Sequence, residues 1–175
     1  KEVIPTSIKA VNAALTVKLA QPYMKEGAQV LDPFCGVGTM LIERHKAVKA
    51  GTMYGLDILE EAIEKARENT AAAGQIIHYI NRDFFDFKHE YLFDEIITNM
   101  PFKIGRKTEE EIENLYEAFF SSAKKVLKDD GIMILYSHNA GHVKKMAPAN
   151  GFTVSETFEI SLKEGTYVFV LNRRQ

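Results

Sequence analysis

Four polar residues, Asp32, Asp57, Asp83 and Asn99, stand at or just beyond the ends of short apolar runs. An ionised aspartate is an acceptor with two oxygens, suited to a pair of adjacent hydroxyls. Asp57 follows Gly36 by about 20 residues, the spacing at which a carboxylate takes the ribose hydroxyls of an adenosine cofactor. Asp83 is placed to accept from an adenine amine, with Ile58 and Phe84 flanking the ring. The tetrapeptide Asn99-Met100-Pro101-Phe102 suggests a second function. The Asn99 side-chain oxygen and the Met100 carbonyl can hold the hydrogens of a planar amine while its lone pair faces an electrophile. Pro101 restrains Met100 to an extended conformation, and Phe102 offers a face for stacking. Chemistry of this kind is mostly positioning. Taken singly, each of these residues is equally well explained as a turn former or helix cap; the argument lies in four of them recurring in succession.

The element that must position them is the stretch Gln29 to Glu43, QVLDPFCGVGTMLIE. It reads as strand, glycine-rich turn and helix, which in an α/β domain puts a ligand at the carboxyl end of the first strand. Gly36 and Gly38 permit close backbone approach, and the amides opening the next helix face the same space. The third glycine of the nicotinamide-dinucleotide fingerprint is missing, which favours an adenosine without pyrophosphate.

Around this stretch the spacing predicts a helix over 7–20 with Ile8, Val11, Leu15 and Leu19 on its apolar face. Strands follow over 29–31, 53–58, 76–80, 93–98 and 132–136. Ala62, Ile63, Ala66 and Ala73 give the helix after the second strand its buried side, with Gly74 as C-cap. Thr108 and Glu111 have capping-box spacing, ahead of a buried stripe through Ile112, Leu115, Tyr116, Phe119, Ala123, Val126 and Leu127. A short helix lies around 143–147. Strands over 152–162 and 166–171 are joined by Lys163-Glu164-Gly165, a connection so short that it must be an antiparallel hairpin. The fold class is therefore α/β: a three-layer sandwich on a mostly parallel seven-stranded sheet closed by a C-terminal antiparallel hairpin.

At 175 residues and 46% hydrophobic, the chain is long enough for one domain with a real core. A formal net charge of -2 carries no overall signature for nucleic acid. The single cysteine, Cys35, excludes an internal disulfide and fits a reducing, cytoplasmic compartment. No apolar run reaches membrane-spanning length. The five histidines lack metal-ligand spacing, so no metal site is expected. His138, just past the fifth strand, is expected on the surface, and Cys35 is expected to be a packed residue. The chain opens at Lys1 without an initiator Met, so it is expected to be a piece of a longer protein with an RNA-binding domain upstream.

DPFCGVGTMLIE followed by GLDI, NRDFFDF and TNMPF resembles class I S-adenosylmethionine-dependent methyltransferases. More narrowly, it resembles the RNA-methylase group whose larger members carry a THUMP domain, including guanine-N2 methyltransferases of tRNA and rRNA. Asp32, Pro33, Cys35, Gly36, Gly38, Thr39, Ile42 and Glu43 match its first motif. The resemblance implies a Rossmann-like methyltransferase fold with the last strand inserted antiparallel beside the fifth. It also implies S-adenosylmethionine as cofactor, held by Asp32, Pro33, Phe34, Cys35, Gly36, Gly38 and Thr39 at the methionine end. Asp57, Ile58, Asp83 and Phe84 would hold the ribose and adenine, and Asn99 would border both cofactor and substrate. Pro5, Thr6 and Ser7 would cover the cofactor. Met100 departs from the familiar Asn-Pro-Pro-aromatic pattern, and Lys103-Ile104 intervene before Gly105.

The expected activity is methyl transfer from S-adenosylmethionine to an exocyclic amine in structured RNA, most simply guanine N2. The same site serves adenine N6 in DNA or a protein glutamine, and a non-catalytic Rossmann-like module or nicotinamide oxidoreductase is the reading from another class.

Overall fold

The computed structural model describes residues 8–101 and 108–174. Phe102, Lys103, Gly105 and the Pro5–Ser7 cover therefore lie outside the described residues.

A seven-stranded sheet runs in the order β3-β2-β1-β4-β5-β7-β6. Its strands are β1 (Gln29–Asp32), β2 (Thr52–Asp57), β3 (His78–Asn81), β4 (Phe93–Asn99), β5 (Leu127–Ser137), β6 (Phe152–Ser161) and β7 (Thr166–Arg173). The first five are parallel, and β7 lies antiparallel between β5 and β6. The hairpin begins and turns where the sequence puts it. On one face pack α1 (Ala10–Ala20), α2 (Thr39–Ala47) and α3 (Glu60–Ala72), around Val30, Met53, Ile97 and Ile134. The other face carries α4 (Glu109–Val126), α5 (Ala140–Ala149) and a 3₁₀ turn at Phe84–Asp86. This is the three-layer sandwich.

Local chemistry accounts for the boundaries that matter to the site. The capping box at the start of α4 is formed, with Glu111 N donating to Thr108 Oγ1 at 3.1 Å and Thr108 N to Glu111 Oε1 at 2.7 Å. Its stripe is core through Val126, with Tyr116 and Phe119 fully buried and Leu115 only half-buried, while Leu127 opens β5, ahead of the expected strand over 132–136.

Three expectations need correction. The buried face of α1 is Ala13, Thr16, Val17 and Ala20, while Val11 is 69% exposed and Leu15 39%. Small residues line this face because α1 lies close against α2, and Thr16 Oγ1 donates to Asn12 O at 2.7 Å, satisfying its hydroxyl. β3 starts at His78, the register partner of Tyr54, which leaves Ile76 exposed before the strand. In α3 the buried position is Thr70 rather than Ala73.

Candidate functional site

The sheet reverses its order between β1 and β4, the neighbouring strands from which the chain departs in opposite directions. Ligands in open α/β sheets bind in the crevice beyond the carboxyl ends of such a pair. β1 ends on Asp32 and β4 on Asn99. Both residues line one cleft with Ile8, Phe34, Cys35, Gly36 and Thr39. The sequence-predicted loop and the predicted amine-binding asparagine thus meet at the switch point.

The loop is built to leave space. Gly36 has φ 54° and Gly38 φ 89°, both in the left-handed region that disfavours a side chain. A Cβ on Gly36 would meet nothing within 4 Å, whereas one on Gly38 would lie 2.4 Å from the Tyr79 hydroxyl. Gly36 therefore keeps the cleft open, and Gly38 lets α2 start against Tyr79, whose hydroxyl is 2.8 Å from that of Thr70. Pro33 and Cys35 are buried beneath the loop. Burial pushes the Cys35 thiol well above its ordinary pKa, which suits a packing residue and not a nucleophile.

Asp32 is 1% exposed, and its Oδ1 accepts from Phe34 N at 3.0 Å. Desolvation pushes its pKa up to about 7; the Thr98 hydroxyl and Phe34 amide oppose the rise, and the Asp57 charge adds to it. Among the described residues it makes no ion pair. A buried carboxylate of this kind gains from a cationic ligand group. Asp57, half-buried at the end of β2, accepts from Gly36 N at 2.9 Å through Oδ2 and from Leu59 N at 2.9 Å through Oδ1. It braces the glycine loop, and each oxygen has acceptor capacity for a further hydrogen bond.

Further along the rim the placement differs in detail from expectation. Ile58 is 67% exposed. Asp83 is exposed two residues beyond β3 and its Oδ1 accepts from Phe85 N at 2.9 Å, capping the 3₁₀ turn. Phe84 is turned into the core, 3% exposed, with its ring centroid 5.9 Å from those of both Phe34 and Phe119. It supports the floor of the site, and the ring left facing outward beside it is Phe85, 40% exposed. Met100 is fully buried and its amide donates to Tyr136 O at 2.9 Å, fixing the turn into Pro101.

His138 departs from its expected surface role. It is half-buried, with Nδ1 2.9 Å from Thr166 Oγ1 and its ring edge-on to Tyr136 at 5.6 Å. No metal-binding group of His, Cys, Asp and Glu occurs among the described residues, and no described helix is long and apolar enough to cross a membrane.

The chain is similar to known proteins in sequence and in fold. The family described as RMKL-like, methyltransferase domain, matches residues 2–166. A tRNA (guanine(10)-N2)-dimethyltransferase of Methanothermobacter thermautotrophicus is 33% identical over 114 residues, covering 64% of this chain and 33% of that protein. A ribosomal protein L11 methyltransferase of Dictyoglomus turgidum is 30% identical over 121 residues, 69% of this chain and 36% of its own. The crystal structure of TrmN from Thermus thermophilus superposes with a TM-score of 0.77 at 26% identity, covering 95% of this chain and 49% of that one. The chain thus spans about a third of the length of these two relatives and half of the solved one. With the family match running over residues 2–166, nearly its whole length, the chain belongs to the RMKL-like methyltransferase domain family.

Proposed function

We propose that this domain transfers a methyl group from S-adenosylmethionine to the exocyclic N2 amine of a guanine in structured RNA, tRNA or rRNA. The observation that carries the reading is the convergence of Asp32, Gly36 and Asn99 on one cleft at the switch point. S-adenosylmethionine, when bound, supplies a methyl group on a positively charged sulfur.

The residues present fit that group. Asp32 is a buried carboxylate with no ion-pair partner among the described residues, and the cationic methionine end would supply one. Gly36 leaves open space where a side chain would project. Asp57 takes the ribose hydroxyls, and Ile58, Asp83 and the outward ring of Phe85 border the adenine. At the other lip, Asn99 and the Met100 carbonyl accept the two amine hydrogens, which directs the nitrogen lone pair into the cleft. The target base must leave its stack to reach them. Phe102 completes this part of the reading as the stacking face.

A net charge of -2 gives this chain little attraction to phosphate. The reading therefore includes a separate RNA-binding domain in the complete protein, working in the cytoplasm.

The test is transfer of labelled methyl from S-adenosylmethionine to total tRNA and rRNA, followed by nucleoside analysis. N2-methylguanosine is the expected product. Because one relative is named for a ribosomal protein, the second reading is a protein amine, and label that survives nuclease and yields to protease would replace RNA with protein as substrate. Label on adenine would replace the base.

A further inference from the structure

The inference rests on the amine-methylation reading above and concerns what holds the accepting groups still. Asn99 is the last residue of β4, and Met100 lies beyond it with its amide donating to Tyr136 O at 2.9 Å. The Met100 carbonyl that takes an amine hydrogen therefore depends on where the Tyr136 carbonyl stands. Asn99–Tyr136 and Ser137–Tyr167 are the end pairs of the β4–β5 and β5–β7 ladders. The ladder bonds that fix a strand interior from both sides run out at this point.

A pair of buried side chains takes over. Ser137 is fully buried; its Oγ lies 2.7 Å from the Tyr116 hydroxyl and accepts from Asn139 N at 2.9 Å. Tyr116 comes from the middle of α4 and is fully buried as well. Burial pushes its pKa up to about 12, so the group is a neutral hydroxyl with a proton to share. Phe119 and Phe120, on the same helix, fill the same core with plain rings. A phenylalanine would fill the place of Tyr116 equally well, and a buried hydroxyl is costly unless it is bonded. The hydroxyl is thus explained by its partner, and that partner sits beside the carbonyl that holds Met100. Tyr136 O and Ser137 N belong to one planar unit, so anchoring Ser137 orients the acceptor of the Met100 amide. Helix α5 closes the arrangement from outside. The His142 ring lies 5.7 Å from that of Tyr116, and His142 Nε2 is 2.7 Å from Glu109 Oε2 in the first turn of α4.

We propose that Tyr116 and Ser137 are positioning residues for methyl transfer, their hydroxyl pair holding the 136–137 peptide so that the Met100 carbonyl stays aimed at the amine. Neither belongs to the lining of the cleft; both act through the turn. A reacting group held slightly out of place loses rate rather than binding.

Tyr116→Phe, Ser137→Ala and the double variant are compared with the unmodified chain in three measurements. These are kcat and KM for methyl transfer to a tRNA transcript, S-adenosylhomocysteine affinity, and hydrogen exchange of single backbone amides by NMR. Each single change should lower kcat by about tenfold, the worth of one buried hydrogen bond. KM for the transcript and cofactor affinity should stay where they were. The double variant should be no slower than Ser137→Ala, since both changes remove the same bond. The Met100 amide should exchange faster in all three variants, and the Gly36 amide, donated to Asp57, as before. Thr16→Val is the control for a buried hydroxyl lost elsewhere, because Thr16 Oγ1 donates to Asn12 O inside α1. It should lower the urea midpoint without moving kcat or Met100 exchange. An unchanged kcat, a Met100 amide that exchanges no faster, or an equal kcat loss in the Thr16 control overturns the positioning role and leaves the functional reading standing. If the unmodified chain labels no RNA, the functional reading falls and takes this inference with it.

Discussion

Two carboxylates at opposite ends of the same sheet are buried to the same extent, and the chain treats them differently. Glu95 and Asp32 are each 1% exposed. Near the amino end of the strands Glu95 receives Arg44 in a two-pronged pair, Nε to Oε2 at 2.8 Å and Nη2 to Oε1 at 2.9 Å. Arg44 also donates to the carbonyls of Val48 and Lys25, so its guanidinium ties α2 to β4 and to the loop before β1. At the carboxyl end Asp32 has a backbone amide and a nearby hydroxyl but no cation among the described residues. Desolvating a charge is costly unless a partner offsets it. The fold supplies the partner where the role is to brace the sheet and withholds it at the cleft, where the proposed function has a ligand bring the charge.

The largest effect that would break this contrast is at the braced end. Glu95→Ala leaves Arg44 charged and buried without its partner, and about 3–5 kcal/mol of stability should go, read as a lower urea midpoint. A loss within experimental error would mean that the pair is not what fixes this end of the sheet.

Next in size is Asn99→Ala at the open end. Methyl transfer should drop by about 100-fold, as misplacement of a reacting group does, with S-adenosylhomocysteine affinity changed little. Affinity falling in step with transfer would move Asn99 from the amine to the cofactor.

Much of the open end was legible in sequence because it is local. Asp32, Gly36 and Gly38 sit within seven residues, and the strand-turn-helix order dictates what they surround. The hairpin was legible for the same reason, its turn being too short for any other connection. The braced end was not, since Arg44 and Glu95 are 51 residues apart. A signal did exist: Arg44 lies on the buried stripe of α2 with Met40 and Leu41, and Glu95 interrupts the apolar run of β4. Two opposite charges on two buried faces call for each other. The α1 face is not legible from its large apolar residues, because close helix packing selects small ones, Ala13, Thr16 and Ala20. The position of Phe84 directly after Asp83 points to the ligand, but the 3₁₀ turn rotates its ring inward.

A smaller effect is expected from Asp32→Asn, which separates the two carboxylates directly. Removing one member of a buried charge pair costs binding about 2 kcal/mol or more, so the thermal stabilisation given by S-adenosylhomocysteine should shrink. The unliganded protein should be no less stable, the opposite of Glu95→Ala. In the unmodified chain S-adenosylhomocysteine should raise the melting temperature and NAD should not. Stabilisation by NAD, or an unliganded Asp32→Asn protein as damaged as the Glu95 variant, would erase the distinction between the two ends.

The finest test follows from the Asp32 pKa of about 7 against an ordinary value of 3.8. Burial favours the protonated form, so its contribution to folding is complete below about pH 4 and is lost as the pH rises through 7, at up to about 1.4 kcal/mol per pH unit. The unliganded protein should therefore lose stability between pH 5 and 7.5 by an amount that Asp32→Asn removes. Cofactor affinity should run the other way. A cationic group beside Asp32 favours the carboxylate, so binding releases its proton below pH 7, and affinity should climb by up to about tenfold per unit there before levelling off. Calorimetry in two buffers of different ionisation enthalpy reads that proton at pH 6, and the variant should show less release. Equal release from both proteins would mean that the ligand's cation is met elsewhere and that Asp32 is buried for reasons of packing alone.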